Sequence, residues 1–509
     1  MQISPDLPAF AAKYGENSKG AAQVVWTTLV ADLETPVSAM LKLADGKPNS
    51  FLLESVEGGA IRGRYSFIGL RPDVVWRCRG NKADINRNAV DEPDAFSPCP
   101  VAVKSGAIAS LRALVNESRI DMPSGLPPMA SGLVGYMAYD MVRLTERLPD
   151  ANPDVIGVPD SIFLRPTVMA VFDSLKDSVT VITPVWLKPS TSAATAYDAA
   201  RQRLAEVVRD FRKNPARKTA KAPRDAAPAR PESNMTREKF HWMVKKAVEY
   251  IHAGDAFQIV PSQRFRVPFK LPPFSFYRAL RRLNPSPFLF FLNFGDFCVA
   301  GSSPEILVRV RQGKITLRPL AGTRRRGATP EEDKALVADL LADPKEIAEH
   351  LMLLDLGRND VGRVAKVGTV RVTEQFIVEY YSHVMHIASN VEGELDPHFD
   401  AIDALLAGFP AGTVSGAPKV RAMEIIDELE PERRGIYAGC IGYFGANGDM
   451  DTCIALRTAV IKDGVLYIQA GGGVVADSNP ENEYQESCNK ARALLRAAEE
   501  AVAFAAEVA

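Results

Sequence analysis

The sequence predicts an α+β protein with much antiparallel sheet, and three observations carry that prediction. Short β-branched and aromatic runs are interspersed with helical stretches along the chain. No segment repeats at a period of about 20 to 50 residues, which solenoids and propellers would require. The regular strand–helix alternation of a parallel sheet, with a dinucleotide fingerprint in its first turn, is also missing. At 509 residues the chain can bury a large core and has room for two or more domains.

Taken in order, residues 1–23 read as a tail. Asp6, Lys13, Glu16 and Lys19 interrupt the apolar residues, and no basic patch precedes an apolar run, so a secretory signal is not expected. A first domain is expected over 24–211. Asp73–Trp76, Phe163–Phe172 and Ser178–Ile182 read as strands within it. Residues 193–212 read as a helix with Tyr197, Leu204, Val208 and Phe211 on one face. The composition then shifts: residues 212–232 hold seven Lys/Arg and four Pro but almost no large apolar side chain. Such a stretch buries too little surface to offset its ordering entropy, so 212–234 is expected to be a linker. A basic nucleic-acid arm is the alternative. A second domain is expected over 235–509, with strands at Phe288–Asn293, Ile306–Val310, Val384–Asn390, Tyr437–Phe444, Thr452–Ile461 and Val465–Ala470.

Composition narrows the function classes. Apolar residues make up 46% and charged residues 24%, and Lys plus Arg at 61 balance Asp plus Glu at 62. No global field selects a polyanion, so nucleic acid is not an expected partner. The longest apolar runs, such as Phe288–Leu292, are far too short for a bilayer, so no membrane is expected either. Six scattered cysteines without a C-x-x-C pair suit reduced thiols in a cytoplasm.

Five features could carry chemistry. Glu346 and Glu349 lie three apart in a helix that Asp343-Pro344 opens and that should end near Gly357, so both face one side and could serve one cation. A capping-box role for Glu346 accounts for its position without a metal. Glu483 and Glu486 repeat the spacing in the helix opened by Asn479-Pro480, with Lys490 one turn on; a solvated face with one ion pair is the plain alternative. Mg²⁺ takes oxygen donors and often uses only one or two carboxylates with water and substrate. The run Gly471-Gly472-Gly473 lets backbone N–H groups approach an anion, though it matches no nucleotide motif and serves equally as a tight turn. His386 alternates with Met385 and Ile387 on a strand, where an imidazole suits either proton transfer or a structural bond. Arg457, expected in a strand after Ile454-Ala-Leu456, wants a carboxylate from the protein or from a substrate.

In sequence order these segments resemble the chorismate-utilising enzymes, and within them the anthranilate synthase large subunits. The resemblance runs from Phe51 onward and weakens only in the linker. Its motifs are LLESVEGG (52–59), GLVGYMAYD (132–140), FQIVPSQRF (257–265), NPSPFLFF (284–291), GSSPE (301–305) and RPLAGTRRRG (318–327). They continue with EHLMLLDLGRNDVGRV (349–364), HVMHI (383–387), GTVSGAPKVRAM (412–423), GCIGYF (439–444), DTCIALR (451–457) and AGGGVVADSNPENEYQE (470–486).

The resemblance implies large antiparallel sheets packed face to face with helices outside. It also implies a regulatory role for 24–211 and a chorismate-binding catalytic role for 235–509. Glu349 and Glu486 would hold Mg²⁺, assisted by Glu346 and Glu483. Gly322, Thr323, Tyr437, Arg457, Gly471, Gly472, Gly473 and Val475 would contact chorismate, with Lys490 nearby. His386 and Thr413 would belong to the elimination chemistry. The implied reaction adds ammonia to chorismate, displaces the 4-hydroxyl, and then releases pyruvate to leave anthranilate.

Two positions separate subfamilies. Members that add water carry lysine where this chain has Gln258, and aminodeoxychorismate synthases typically carry lysine where it has Ala321. Both differences favour ammonia attack without a covalent step. LLES and NPSP resemble the family's tryptophan feedback site, where Ser55, Pro287, Phe288 and Leu289 would touch the inhibitor; many members have Tyr-Met in place of Phe288-Leu289. No G-x-C-x-G nucleophile context occurs, so a separate glutamine amidotransferase subunit is expected to supply the ammonia. The rivals are an aminodeoxy-forming relative and a non-catalytic tryptophan sensor on the same scaffold.

Overall fold

The computed structural model describes the chain except residues 15–19, 58–60, 189–190, 215–229, 382–383 and 508–509. Two long strands organise it. Tyr65–Arg79 and Ser161–Asp173 pair antiparallel along their length, with a register shift between Pro72 and Val74 that divides each into two halves. One set of halves continues into a sheet through Ser50–Glu54, Phe288–Asn293, Phe297–Ser303, Thr458–Lys462, Val465–Gly471 and Ser262–Pro268. The other set continues through Gly132–Met137, Cys440–Gly445, Met450–Ile454, Ile306–Arg311, Lys314–Leu317 and Val384–Glu394.

Period-two alternation sorts the strand residues between cores. Phe51, Val75, Tyr136, Phe290, Leu292, Ile441 and Val460 point inward and fill the space between the sheets. Leu52, Phe291 and Ile468 point outward beneath helices Ala193–Phe211, Pro273–Leu283 and Pro480–Glu507. On the other flank Trp76, Phe163, Val308 and Phe444 lie beneath Pro100–Glu117, Pro344–Gly362 and Ala401–Gly408. The architecture is therefore the expected one of two face-to-face antiparallel sheets with helices outside. No helix among the described residues is long and apolar enough to cross a membrane. All six cysteines are free thiols.

Several elements differ from the sequence expectation. Residues 1–23 carry the helix Leu7–Tyr14, and its Phe10 and Tyr14 are buried in the helix-covered core. In the 193–211 helix Val207 is buried and Val208 only half-buried, because the buried stripe is centred on Ala196, Ala200, Leu204, Val207 and Phe211. Residues 215–229 of the linker lie outside the described residues, and Glu232–Ser233 already pairs with Phe265 and Arg266. The Pro344–Gly362 helix runs beyond Gly357, where an added Cβ would meet Val391 and Pro319 at ordinary van der Waals distance. The strand expected over Thr452–Ile461 is two strands, Met450–Ile454 and Thr458–Lys462, with Arg457 at φ 47° in the bend between them. Tyr437 precedes its strand, which starts at Cys440.

Both sheets draw strands from either side of the linker. Ser50–Glu54 pairs with Phe288–Asn293, and Gly132–Met137 pairs with Cys440–Gly445.

Candidate active site

Two helix N-termini bring the four glutamates together. Asp343 caps the Pro344–Gly362 helix by accepting from the Lys345 N–H at 3.0 Å. That fixes the turn on which Glu346 and Glu349 project. Glu346 does not close a capping box: Arg324 Nη1 holds its carboxylate at 2.6 Å while Nη2 bridges to Asp343 at 3.0 Å. Asn479 caps the other helix through the N–H groups of Glu481 and Asn482. Glu483 and Glu486 then lie against Gly472, where an added Cβ would sit 2.8 Å from Glu483 Oε2 and 3.6 Å from Glu486 Oε1.

Each carboxylate is differently occupied. Gln258 Nε2 donates to Glu349 at 3.0 Å, and Lys490 Nζ pairs with Glu486 at 2.7 Å while also reaching the Gly471 carbonyl at 3.0 Å. Burial raises the pKa of Glu349, and the charges of Glu346 and Glu486 push the same way. Burial likewise raises Glu483 to about 7, with Glu486 and Glu349 adding to the effect. Ser478 satisfies Glu483 Oε1 at 2.7 Å, but Oε2 is buried without a partner. Gln258 Oε1 is orphaned as well. No three of these groups form a closed cation cage among the described residues. Hard oxygen donors, mutual repulsion and an orphaned carboxylate oxygen nonetheless fit Mg²⁺, which needs few protein ligands.

Opposite the glutamates, His386 faces Thr323 across paired strands. Its Nδ1 lies 3.1 Å from the Gly322 carbonyl and 3.0 Å from Thr323 Oγ1. A carbonyl only accepts, so Nδ1 carries the proton and Nε2 keeps its lone pair. Burial lowers the pKa of His386, and the positive charges of Arg457 and Lys490 assist, so the imidazole is neutral near pH 7. Gly322 makes this approach possible: it sits at φ 73°, and a Cβ there would lie 3.1 Å from both Glu346 Oε2 and Ile387 Cδ1.

The bend between Met450–Ile454 and Thr458–Lys462 projects Arg457, a half-buried guanidinium with no ion pair among the described residues. Tyr437 and Glu486 are the groups whose charges it feels. Its backbone carbonyl is fixed by the Ser302 N–H at 3.0 Å. Within the glycine run, Gly472 N–H donates to the Pro261 carbonyl at 3.3 Å, and a Cβ on Gly473 would collide with Gln258 Nε2 at 2.6 Å. The Val475 N–H is already taken by Ser478 Oγ at 3.0 Å.

Thr413 leads to a group that sequence reasoning missed. Its Oγ lies 3.1 and 3.2 Å from the two carboxyl oxygens of Glu305. Glu305 is buried, and burial raises its pKa to about 8 against the opposing bonds from Thr413 and the Leu320 N–H. It is therefore a protonated acid at neutral pH. A cleft lined by Glu305, Thr413, Pro319, Leu356 and Gly412 adjoins it. The GSSPE motif contains Glu305, but only burial distinguishes it from other glutamates. Ser55 lies at the end of Ser50–Glu54, beside the strand that begins at Phe288. Val56 N–H donates to Ser286 O at 3.0 Å, and Glu54 faces Leu289.

An acid, a tautomer-fixed imidazole, an arginine without an ion pair among the described residues and clustered carboxylates are carried on this double sheet. Residues 72–496 match the model of the chorismate binding enzyme family, and the chain belongs to that family. Within it, the chain is 60% identical over 490 residues to anthranilate synthase component 1 of Cereibacter sphaeroides, covering 96% of each. It is 50% identical over 477 residues to the Pseudomonas aeruginosa protein of that name, covering 92% of this chain and 94% of the relative. Anthranilate synthase component I from Streptococcus pneumoniae superposes with a TM-score of 0.73 at 39% identity, covering 85% of this chain and 92% of that one. The menaquinone-specific isochorismate synthase of Escherichia coli shares the fold at a TM-score of 0.70 and 20% identity, over 94% of each chain.

Proposed function

We propose that this chain is the large component of an anthranilate synthase, aminating chorismate with ammonia and releasing pyruvate to open tryptophan biosynthesis. The observation that carries this reading is the pairing of Glu305, protonated by burial, with a neutral, tautomer-fixed His386. The reaction needs one acid and one base, and two groups pushed apart in their proton affinity supply them.

Glu305, held by Thr413, gives its proton to the departing 4-hydroxyl as ammonia bonds to the ring. The nitrogen then sheds a proton, which restores the acid. His386 Nε2 removes the ring proton as the ring C–O bond breaks, the departing enolate takes up a proton from the imidazolium to leave as pyruvate, and aromatisation drives this second step. Arg457 and the glycine run bind substrate carboxylate oxygen. Tyr437, Gly322 and Thr323 wall the ring, and Lys490 holds Glu486. Val475 contributes its side chain only, because its N–H is engaged. Mg²⁺, when bound by Glu349 and Glu486 with Glu346 and Glu483 around them, neutralises the ring carboxylate.

Gln258 supports amination over hydration. It donates to Glu349 and has no basic nitrogen with which to activate water. The name component 1 of the relatives supports a second component, which we assign as a glutamine amidotransferase that delivers ammonia. The pairing of the Ser55 and Phe288 strands supports a tryptophan pocket formed with Pro287 and Leu289. Residues 24–211 then carry the regulatory segment and 235–509 the chorismate machinery, in a cytoplasmic enzyme.

The test supplies the isolated chain with chorismate, ammonium at mildly alkaline pH and Mg²⁺, with and without tryptophan. Equimolar anthranilate and pyruvate, abolished by EDTA, is the expected result, and tryptophan should suppress both. Amination without pyruvate would reassign the chain to an aminodeoxy-forming relative, and no chorismate consumption would leave a sensor.

A further inference from the structure

Arg434 does not line the cleft at Glu305, yet several parts of the site lead back to it. Its side chain is 2% exposed. Nε and Nη2 grip the carboxylate of Glu430 at 3.0 and 2.6 Å. Nη2 also donates to the Val260 carbonyl at 2.6 Å, and Nη1 donates to the Val414 carbonyl at 2.7 Å. The guanidinium lies 4.8 Å from the ring centroid of Tyr139 and 5.6 Å from that of Tyr437.

Three of these contacts, to Val414, Val260 and Tyr437, end within two residues of a group assigned to substrate or chemistry. Val414 follows Thr413, which holds Glu305. Val260 stands two after Gln258, the donor to Glu349. Tyr437 is itself a wall of the site. Glu430 passes the restraint onward: it accepts from both the N–H and Oγ of Ser262 at 2.8 Å, and Ser262 Oγ accepts from Gln469 Nε2 at 2.8 Å. Gln469 lies two residues before Gly471–Gly473, on the strand that leads into that run. A further bond, Gly472 N–H to Pro261 O, fastens that run to the residue before Ser262.

On the reading of the site given above, we propose that Arg434 is a positioning residue. One planar cation sets Tyr437, Thr413, Gln258 and the glycine run in register with one another. The arrangement needs a fork. A lysine keeps the charge beside Glu430 but is a single point donor, so it leaves the Val260 or Val414 carbonyl buried and unpaired. Displacement of reacting groups by about 1 Å costs on the order of 10²-fold in rate. The loss therefore falls on kcat more than on the KM for chorismate, since Arg457, which Arg434 does not touch, still binds the substrate.

The experiment compares the parent chain with Arg434→Lys and Ser262→Ala. Steady-state kinetics use chorismate and ammonium with saturating Mg²⁺, and circular dichroism and thermal melting run alongside. A folded Arg434→Lys with kcat down at least about tenfold and a chorismate KM changed by less than about threefold is expected. Ser262→Ala removes only the relay hydroxyl and should lower kcat several-fold in the same pattern. Unchanged kcat in a folded Arg434→Lys overturns the proposal. If Arg434→Lys does not fold, unchanged kcat in Ser262→Ala overturns it. Activity that tracks the folded fraction at every temperature also overturns it, because that marks a merely structural role. A parent without chorismate turnover rejects the function itself, and the positioning claim falls with it.

Discussion

At the scale of single residues, burial raises the proton affinity of the carboxyl groups in this region, and most of all that of Glu305. The bonds that Glu305 receives come from the Thr413 hydroxyl and the Leu320 N–H rather than from a cation, so desolvation wins and holds its pKa at about 8. The sign of the resulting pH dependence follows. In the proposed mechanism Glu305 works protonated, so kcat/KM for chorismate should fall as pH rises through about 8. His386 works neutral and its pKa is lowered, so the acid limb should lie below the ordinary imidazole value of 6.5. Rates must be taken at constant free NH₃, because ammonium itself titrates in the alkaline range. Glu305→Gln should cost on the order of 10² to 10⁴-fold and erase the alkaline limb. An alkaline limb that survives in the variant would assign it to another group. Glu349→Gln and Glu486→Gln keep shape while removing charge, so both should lose turnover with the fold intact. Full activity in either would remove that residue from the Mg²⁺ set.

Helix starts and sheet bends are the elements that aim these residues, and they differ in how far the sequence shows them. Asp343-Pro344 and Asn479-Pro480 announce their helices because caps are local chemistry, and both glutamate pairs were legible for that reason. Phe288–Asn293 was legible from composition and length. The break inside Thr452–Ile461 was not. Ala455-Leu456 continues the apolar pattern, and the bend falls on Arg457, a residue type that rarely takes positive φ. The partners of Glu346 and Gln258 were equally hidden, since Arg324 and Glu349 reach them only through tertiary packing. The cap yields a prediction at this scale. Asp343→Ala removes the cap, worth about 1 kcal/mol, and the bridge to Arg324. The first turn bearing Glu346 and Glu349 should loosen, and the Mg²⁺ concentration for half-maximal activity should rise several-fold. Saturating Mg²⁺ should restore kcat to within about twofold. An unchanged Mg²⁺ titration would show that the cap does not order the ligands.

The whole molecule is held by sheets that ignore the sequence boundary at the linker. Removing residues 1–214 would take Ser50–Glu54 from the edge of Phe288–Asn293 and Gly132–Met137 from the edge of Cys440–Gly445. Two ladders would lose their partners, and Phe290, Leu292, Ile441 and Tyr443 would lose Phe51 and Tyr136 across the inter-sheet core. Exposed edges over an open apolar face are the usual starting point of aggregation. Residues 235–509 produced alone should therefore aggregate or stay unfolded, and co-expression with 1–214 should return a soluble, chorismate-consuming pair. A monomeric, cooperatively folded 235–509 fragment, seen by circular dichroism and analytical ultracentrifugation, would contradict this. The same continuity gives the proposed tryptophan segment a route to the site. Ser302 Oγ accepts from Asn284 Nδ2 at 3.2 Å and donates to Ser286 Oγ at 2.9 Å, while the Ser302 N–H holds the carbonyl of Arg457. A ligand that shifts the 284–289 segment should therefore move the backbone of Arg457, the arginine proposed to bind substrate, with no domain hinge required to transmit it.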